Sequence, residues 1–119
     1  MKKPLMALAA VVLFGVLAMT VYAADLSGTW NAAVETNAGS GTTTFVLKQD
    51  GEKLTGTYSD PYGEAAVTGT VKGSDVTLEF NEQGVGATYK GKVDTAGTKI
   101  EGTCDYGGQA SGTFTATKK

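Results

Sequence analysis

The sequence has no His, no Arg, one Cys and two Pro, and each shortage removes a class of function. Without His, a Ser or Cys nucleophile lacks its commonest general base. Two carboxylic acids held about 5 to 9.5 Å apart can hydrolyse glycosides, and Asp60 and Glu82 are conceivable partners, but nothing in their spacing selects them. The chain is therefore expected not to be an enzyme and to need no cofactor. Cys104 stands alone, so no intramolecular disulfide can form and stability must come from packing and backbone pairing. Its inward phase predicts a buried, inert thiol; a redox-active or dimer-bridging thiol is the alternative. Past Asp25 no segment has both the 3.6-residue apolar spacing and the length of a helix.

What is abundant sits first at the N-terminus. Met1-Lys2-Lys3 is positive, Leu5 to Met19 is an apolar stretch, and Thr20-Val21-Tyr22-Ala23 places small residues where a signal peptidase requires them. Residues 1–23 are read as a secretory signal peptide cleaved after Ala23, and residues 24–119 as one exported domain, secreted or periplasmic. The apolar stretch is short of the roughly 20 residues of a spanning helix; an uncleaved anchor is the alternative. Removing Lys2 and Lys3 from ten cationic residues leaves eight against twelve Asp and Glu, a net charge of −4. That sign argues against nucleic acid and, after cleavage, against anionic membrane surfaces, both of which call for clustered basic residues.

The remaining chain is rich in Thr, Gly and Val, with apolar and polar residues alternating at period two. Eight such runs are predicted as strands: 28–36, 42–49, 54–59, 63–72, 75–81, 86–94, 98–106 and 108–117. Within them an apolar residue recurs two before and two after a Gly, as in Leu54-Thr55-Gly56-Thr57-Tyr58, Val67-Thr68-Gly69-Thr70-Val71 and Ile100-Glu101-Gly102-Thr103-Cys104. These glycines share the inner phase with their apolar neighbours, and tight wall curvature with close backbone approach is the expected reason. Every connection is short enough for a hairpin, which implies an all-β, eight-stranded antiparallel up-and-down β-barrel. A two-sheet sandwich satisfies the same alternation.

Hairpin loops of such a barrel alternate between its ends. One rim carries 49–53, 72–75 and 94–98, tight turns of mixed charge. The other carries 37–41, 60–63, 81–86 and 105–108, Gly-rich loops with Tyr62 and Tyr106, the acids Glu35, Asp60, Glu64, Glu82 and Asp105 nearby, and no Lys. The second rim is where a site is expected, because loops on a rigid scaffold usually carry function. Its acidic residues Asp60, Glu64, Glu82 and Asp105 suit a cationic group; as solvated turn residues they need no ligand at all. No Asp-x-Asp-x-Asp calcium loop is present, and no metal site is expected.

Gly28-Thr29-Trp30, opening the first of eight antiparallel runs, resembles the Gly-x-Trp start of the calycins, the lipocalin, fatty-acid-binding and avidin group. The 54–58 strand is similar to an avidin strand. The resemblance implies a calycin-like barrel around an apolar ligand cavity. Its departures are that lipocalins lay a late Arg across the Trp, absent here, and that avidins line their site with several Trp, whereas Trp30 is alone. Trp30 is open to two readings: a plug closing one barrel end, with its N–H paired, or a platform under a ligand. A small apolar or cationic ligand held in the barrel would meet Trp30, Phe45, Tyr58, Phe80, Tyr89, Tyr106 and Phe114. The competing reading is a structural or protein-interaction domain with a packed core and functional outer surface.

Overall fold

A computed structural model describes residues 25–119; the expected signal peptide and its cleavage site lie outside the described residues. Eight strands run β1 (Gly28–Thr36), β2 (Gly39–Asp50), β3 (Lys53–Asp60), β4 (Gly63–Lys72), β5 (Asp75–Glu82), β6 (Val85–Val93), β7 (Lys99–Tyr106) and β8 (Ser111–Lys118). Each pairs antiparallel with the next, and β8 pairs with β1, so the sheet is a closed barrel and not a sandwich. Closure removes both sheet edges. The architecture is compatible with a calycin-like fold.

Two boundaries differ from the sequence expectation by three residues, and the others by at most one. β2 begins at Gly39 because the Thr36 hydroxyl accepts from the Ala38 N–H at 3.0 Å and donates to the Gly39 carbonyl at 2.9 Å, closing a two-residue turn that lets pairing start at Thr36↔Gly39. β8 begins later, at Ser111, because Gly107 and Gly108 both take positive φ and the Tyr106 N–H donates to the Ala110 carbonyl at 2.8 Å. That closes a wider loop at the same rim.

Alternation sends one side of every strand inward. Near the tight-turn rim the filling is aliphatic, with Leu54, Val71, Val76 and Ile100 buried; above them lies an aromatic group. Phe45 meets Tyr58 and Tyr89 at 5.3 Å between centroids, Tyr58 stacks on Phe80 at 3.9 Å, and Tyr89 meets Phe114 at 4.9 Å. Quadrupole-favoured tilted and edge contacts of this kind add to plain area burial. The interior at this level is occupied by side chains.

The recurring glycines hold the inner phase, yet a side chain there would run into the adjacent strand and not into the lumen. A Cβ on Gly56 would fall 1.8 Å from the Val46 carbonyl oxygen, on Gly69 2.1 Å from that of Thr77, and on Gly102 1.9 Å from that of Lys90. Each blocking carbonyl belongs to an outward-facing residue of a neighbouring strand. Close backbone approach in a strongly coiled wall is thus what excludes any larger residue.

Trp30 closes the tight-turn end. It is fully buried and its indole Nε1 donates to the Leu26 carbonyl at 2.9 Å. Leu26 is itself buried, its N–H donating to Gln49 Oε1 at 2.8 Å, while Lys118 Nζ donates to the Asp25 carbonyl at 2.8 Å. Residues 25–27 therefore strap this end shut, and of the two roles open to Trp30 the geometry is that of the plug.

Candidate functional site

The opposite rim is open. A cleft of about 530 Å³ enters it between Val34, Thr36, Thr43, Tyr58, Asp60, Tyr62 and Tyr106. A second, of about 320 Å³, adjoins it across Tyr62, Tyr106 and Ala110 and reaches Glu82 and Val85. Volumes of this order accommodate small molecules.

The local sequence builds this mouth. Asp60-Pro61-Tyr62-Gly63 has Asp at the first turn position, Pro at the second and Gly at the fourth, a strong turn signature. Asp60 Oδ1 accepts the N–H groups of Tyr62 at 2.8 Å and Gly63 at 3.0 Å. Its Oδ2 accepts the Tyr58 hydroxyl at 2.7 Å. The same turn lifts Tyr62 into solvent, 82% exposed, at the lip of both clefts. On β5 the inner phase of Leu78 and Phe80 continues to Glu82, and Gln83-Gly84 turns the chain with both φ positive, at 54° and 83°. That is the type I′ preference of two-residue hairpins.

Asp60 and Glu82 are thereby brought together, with a hydrogen bond between their carboxyl groups. Glu82 Oε2 is buried and receives no N–H or hydroxyl donor. Burial pushes the Glu82 carboxyl up, and the hydrogen bond and charge of Asp60 push it further. Burial also raises Asp60, but hydrogen bonds from Tyr58, the Tyr62 N–H, Glu82 and the Gly63 N–H outweigh it and hold Asp60 below the ordinary carboxylate range. Of the two acids, Glu82 is thus the one favoured to hold a proton. Beneath the pair the hydroxyls of Tyr89 and Tyr106 are hydrogen-bonded, and Tyr106 also bonds Tyr58. Desolvation pushes all three phenols up, so they stay neutral donors.

Of the residues expected to meet a ligand, Tyr58 and Tyr106 line the mouth. Trp30, Phe45, Phe80, Tyr89 and Phe114 are buried in the filling, and none borders either cleft. Of the rim acids, Asp60 and Glu82 point inward, whereas Glu64 and Asp105 are exposed and out of phase, Glu64 opposite Ser59 and Asp105 accepting from the Gly108 N–H at 3.2 Å as a turn residue. The same period-two count that sorted the aromatics sorts the acids: Asp60 has the parity of Tyr58, and Glu82 that of Phe80.

Thr43 was not singled out in the sequence, although it shares the parity of Phe45 and Leu47. It lines the larger cleft, is only 9% exposed, and its Oγ1 has no hydrogen-bond partner. Tyr62, the exposed lip, could be foreseen only as a loop aromatic. Cys104 is buried, and desolvation raises its thiol, consistent with an inert side chain. No protein-family model matches this chain, and no curated protein does.

Proposed function

We propose that the barrel is a non-catalytic binding module of the exported compartment, whose open mouth takes a small cationic molecule. The observation that carries this is the Asp60–Glu82 pair: two inward carboxyl groups bordering adjoining open clefts, interacting with each other and not with a Lys. Lys92 pairs with Asp75 and Lys99 with Glu101, both toward the far rim. A cation entering the mouth meets one carboxylate, one acid able to ionise, and aromatic walls from Tyr58, Tyr62 and Tyr106.

The occupied aromatic interior favours the mouth over the barrel lumen as the place for a ligand. It also supports a second reading, a structural or interaction domain with a packed core, in which the outer surface acts. Backbone amide shifts in NMR titrations with small organic cations, anions and neutral apolar compounds separate the two. Saturable shifts of Asp60, Tyr62, Glu82 and Tyr106 with cations alone, lost in the Asp60→Asn, Glu82→Gln double variant, are expected. Equal shifts with anions, or no shifts with any compound, overturn the proposal.

A further inference from the structure

Resting on that reading, we propose that the cation is a primary ammonium group on a compact aromatic or apolar body, whose N–H groups replace the proton between Asp60 and Glu82 and reach Thr43 Oγ1.

Two buried oxygens in this part of the mouth have no hydrogen-bond donor. Glu82 Oε2 is buried without an N–H or hydroxyl donor, and Thr43 Oγ1, in a side chain nine-tenths buried, has no partner at all. Asp60 lies between them. It bonds Glu82 on one side, and Thr43 is its cross-strand neighbour on the other, one step beyond the Thr44↔Ser59 pair of the β2–β3 ladder. Directly opposed residues hold their Cβ atoms about 5 Å apart, so a group seated on Asp60 is within reach of the Thr43 hydroxyl. Oxygens of Glu82, Asp60 and Thr43 offer acceptors for the three N–H donors of a primary ammonium.

A quaternary ammonium carries the charge but none of the donors, and would leave both buried oxygens unmet. A calcium ion takes six to eight oxygens, and among the described residues no three acidic, His or Cys side chains gather for a metal. The apolar body has its own surface, since Tyr62 stands exposed at the lip while Tyr58 and Tyr106 form the wall below.

The proton balance is explicit. Glu82 is the higher-titrating acid of the pair, so the proton held at mildly acidic pH is the one displaced: on binding, R–NH₃⁺ keeps its three protons, Glu82 ionises, and its proton passes to the buffer. The other titratable side chains facing the pair are Tyr58 from β3, Tyr89 from β6 and Tyr106 from β7, with Cys104 behind them, all neutral; β2 and β4 present Thr43 and Ala65.

Isothermal titration of the purified protein at mildly acidic pH, in two buffers of different ionisation enthalpy, tests this with three probes of one shape. These are 2-phenylethylamine, its N,N,N-trimethyl derivative and 2-phenylethanol. The amine is expected to bind about tenfold or more tightly than either analogue, the scale of one charge-assisted hydrogen bond, and to release protons. Glu82→Gln should abolish the proton release, and Thr43→Val should weaken the amine several-fold while leaving the trimethyl probe unaffected. Trimethyl binding as tight as the amine overturns this inference and leaves the cation reading standing. Alcohol binding as tight as the amine, or no binding by any probe, overturns both. Amine binding without proton release, or unaltered by Thr43→Val, overturns the assignment of the donors.

Discussion

Replacing Gly56 by Ala adds one methyl group and should be among the most damaging small changes available to this barrel. The new Cβ would sit 1.8 Å from the Val46 carbonyl oxygen and 2.9 Å from its carbon. Real Cβ contacts essentially never fall under 3.0 Å, so β2 and β3 must part by about 1.2 Å. The obstacle is backbone, with no flexible side chain that can swing aside. Overpacking of this kind costs about 1–3 kcal/mol, and stretching the ladder around Leu47↔Gly56 forfeits about 0.5–1.5 kcal/mol for each hydrogen bond lost. Together about 3 kcal/mol is expected, a large share of the ~5–15 kcal/mol that holds a typical domain together. At ~4–8 °C per kcal/mol for a domain of this size, the melting temperature should fall by more than about 10 °C. Gly41 is the matched control: it lies in β2, a Cβ there meets nothing within 4 Å, and its φ is unexceptional. Gly41→Ala should be neutral or gain about 0.4–1 kcal/mol by restricting the unfolded chain. Urea and thermal denaturation of the two variants side by side decide the matter. A Gly56→Ala protein that melts with the wild type, or no lower than Gly41→Ala, refutes close strand approach as the reason for the repeated glycines.

Three further outcomes follow from the same geometry. Asp60 titrates lower in the folded chain than in the unfolded one, so its contribution is present above the ordinary Asp range and lost as pH falls. Glu82 titrates higher, so its contribution is present below the ordinary Glu range and lost as pH rises through its folded value. Glu82→Gln, whose amide can donate to Asp60 at any pH, should therefore raise the melting temperature at neutral pH and not in acid. The gain should stay under about 1 kcal/mol because the pair is partly solvated, and thermal melts across pH check it. Tyr106→Phe strands the buried Tyr89 hydroxyl and should cost about 1–3 kcal/mol, most of which returns when Tyr89→Phe is added; urea titration of the double-mutant cycle reads this. Trp30→Phe should cost about 2 kcal/mol through the lost bond to Leu26 and lost volume. In the wild type, Trp30 emission should be blue-shifted, resistant to iodide quenching and unchanged when an amine occupies the mouth.

Much of this was legible in the chain, for a physical reason. Period two is a local property, so the parity that buries Leu54 and Tyr58 around Gly56 also predicts that Asp60 points inward and Glu64 outward. Hairpin-length connections then leave few topologies, and eight amphipathic strands without a helix to cover them must close or stack. Closure itself is a long-range fact: the β8–β1 pairing from Trp30↔Lys118 to Thr36↔Gly112 has no local signature. The state of the lumen was equally hidden. Whether Phe45, Tyr58, Phe80 and Tyr89 surround a hole or fill it depends on ring orientations set by every strand at once. Likewise Asp60 and Glu82 are 22 positions apart, and only the barrel's curvature makes them neighbours.

The filled interior and the acidic mouth are two consequences of one constraint. An eight-stranded barrel is just wide enough for side chains to occupy its lumen, so aromatic rings at the middle level leave room for a ligand only where the inner phase runs out beyond them. Residues at that level face water from one side and rings from the other, and apolar side chains there would leave an exposed greasy patch. The chain places Asp60, Glu82 and Thr43 there instead. The lysines lie elsewhere: Lys53, Lys72, Lys99 and Lys118 sit at the ends of strands that meet the strapped rim, interleaved there with Asp50, Glu52, Asp75 and Asp94. With acids and no Lys, the mouth is the negative end of the barrel and the mixed rim is near neutral, an asymmetry that draws cations toward the mouth and weakens as salt screens it. Capture by the mouth should therefore slow with ionic strength while the hydrogen-bonded complex, once formed, dissociates at a nearly constant rate.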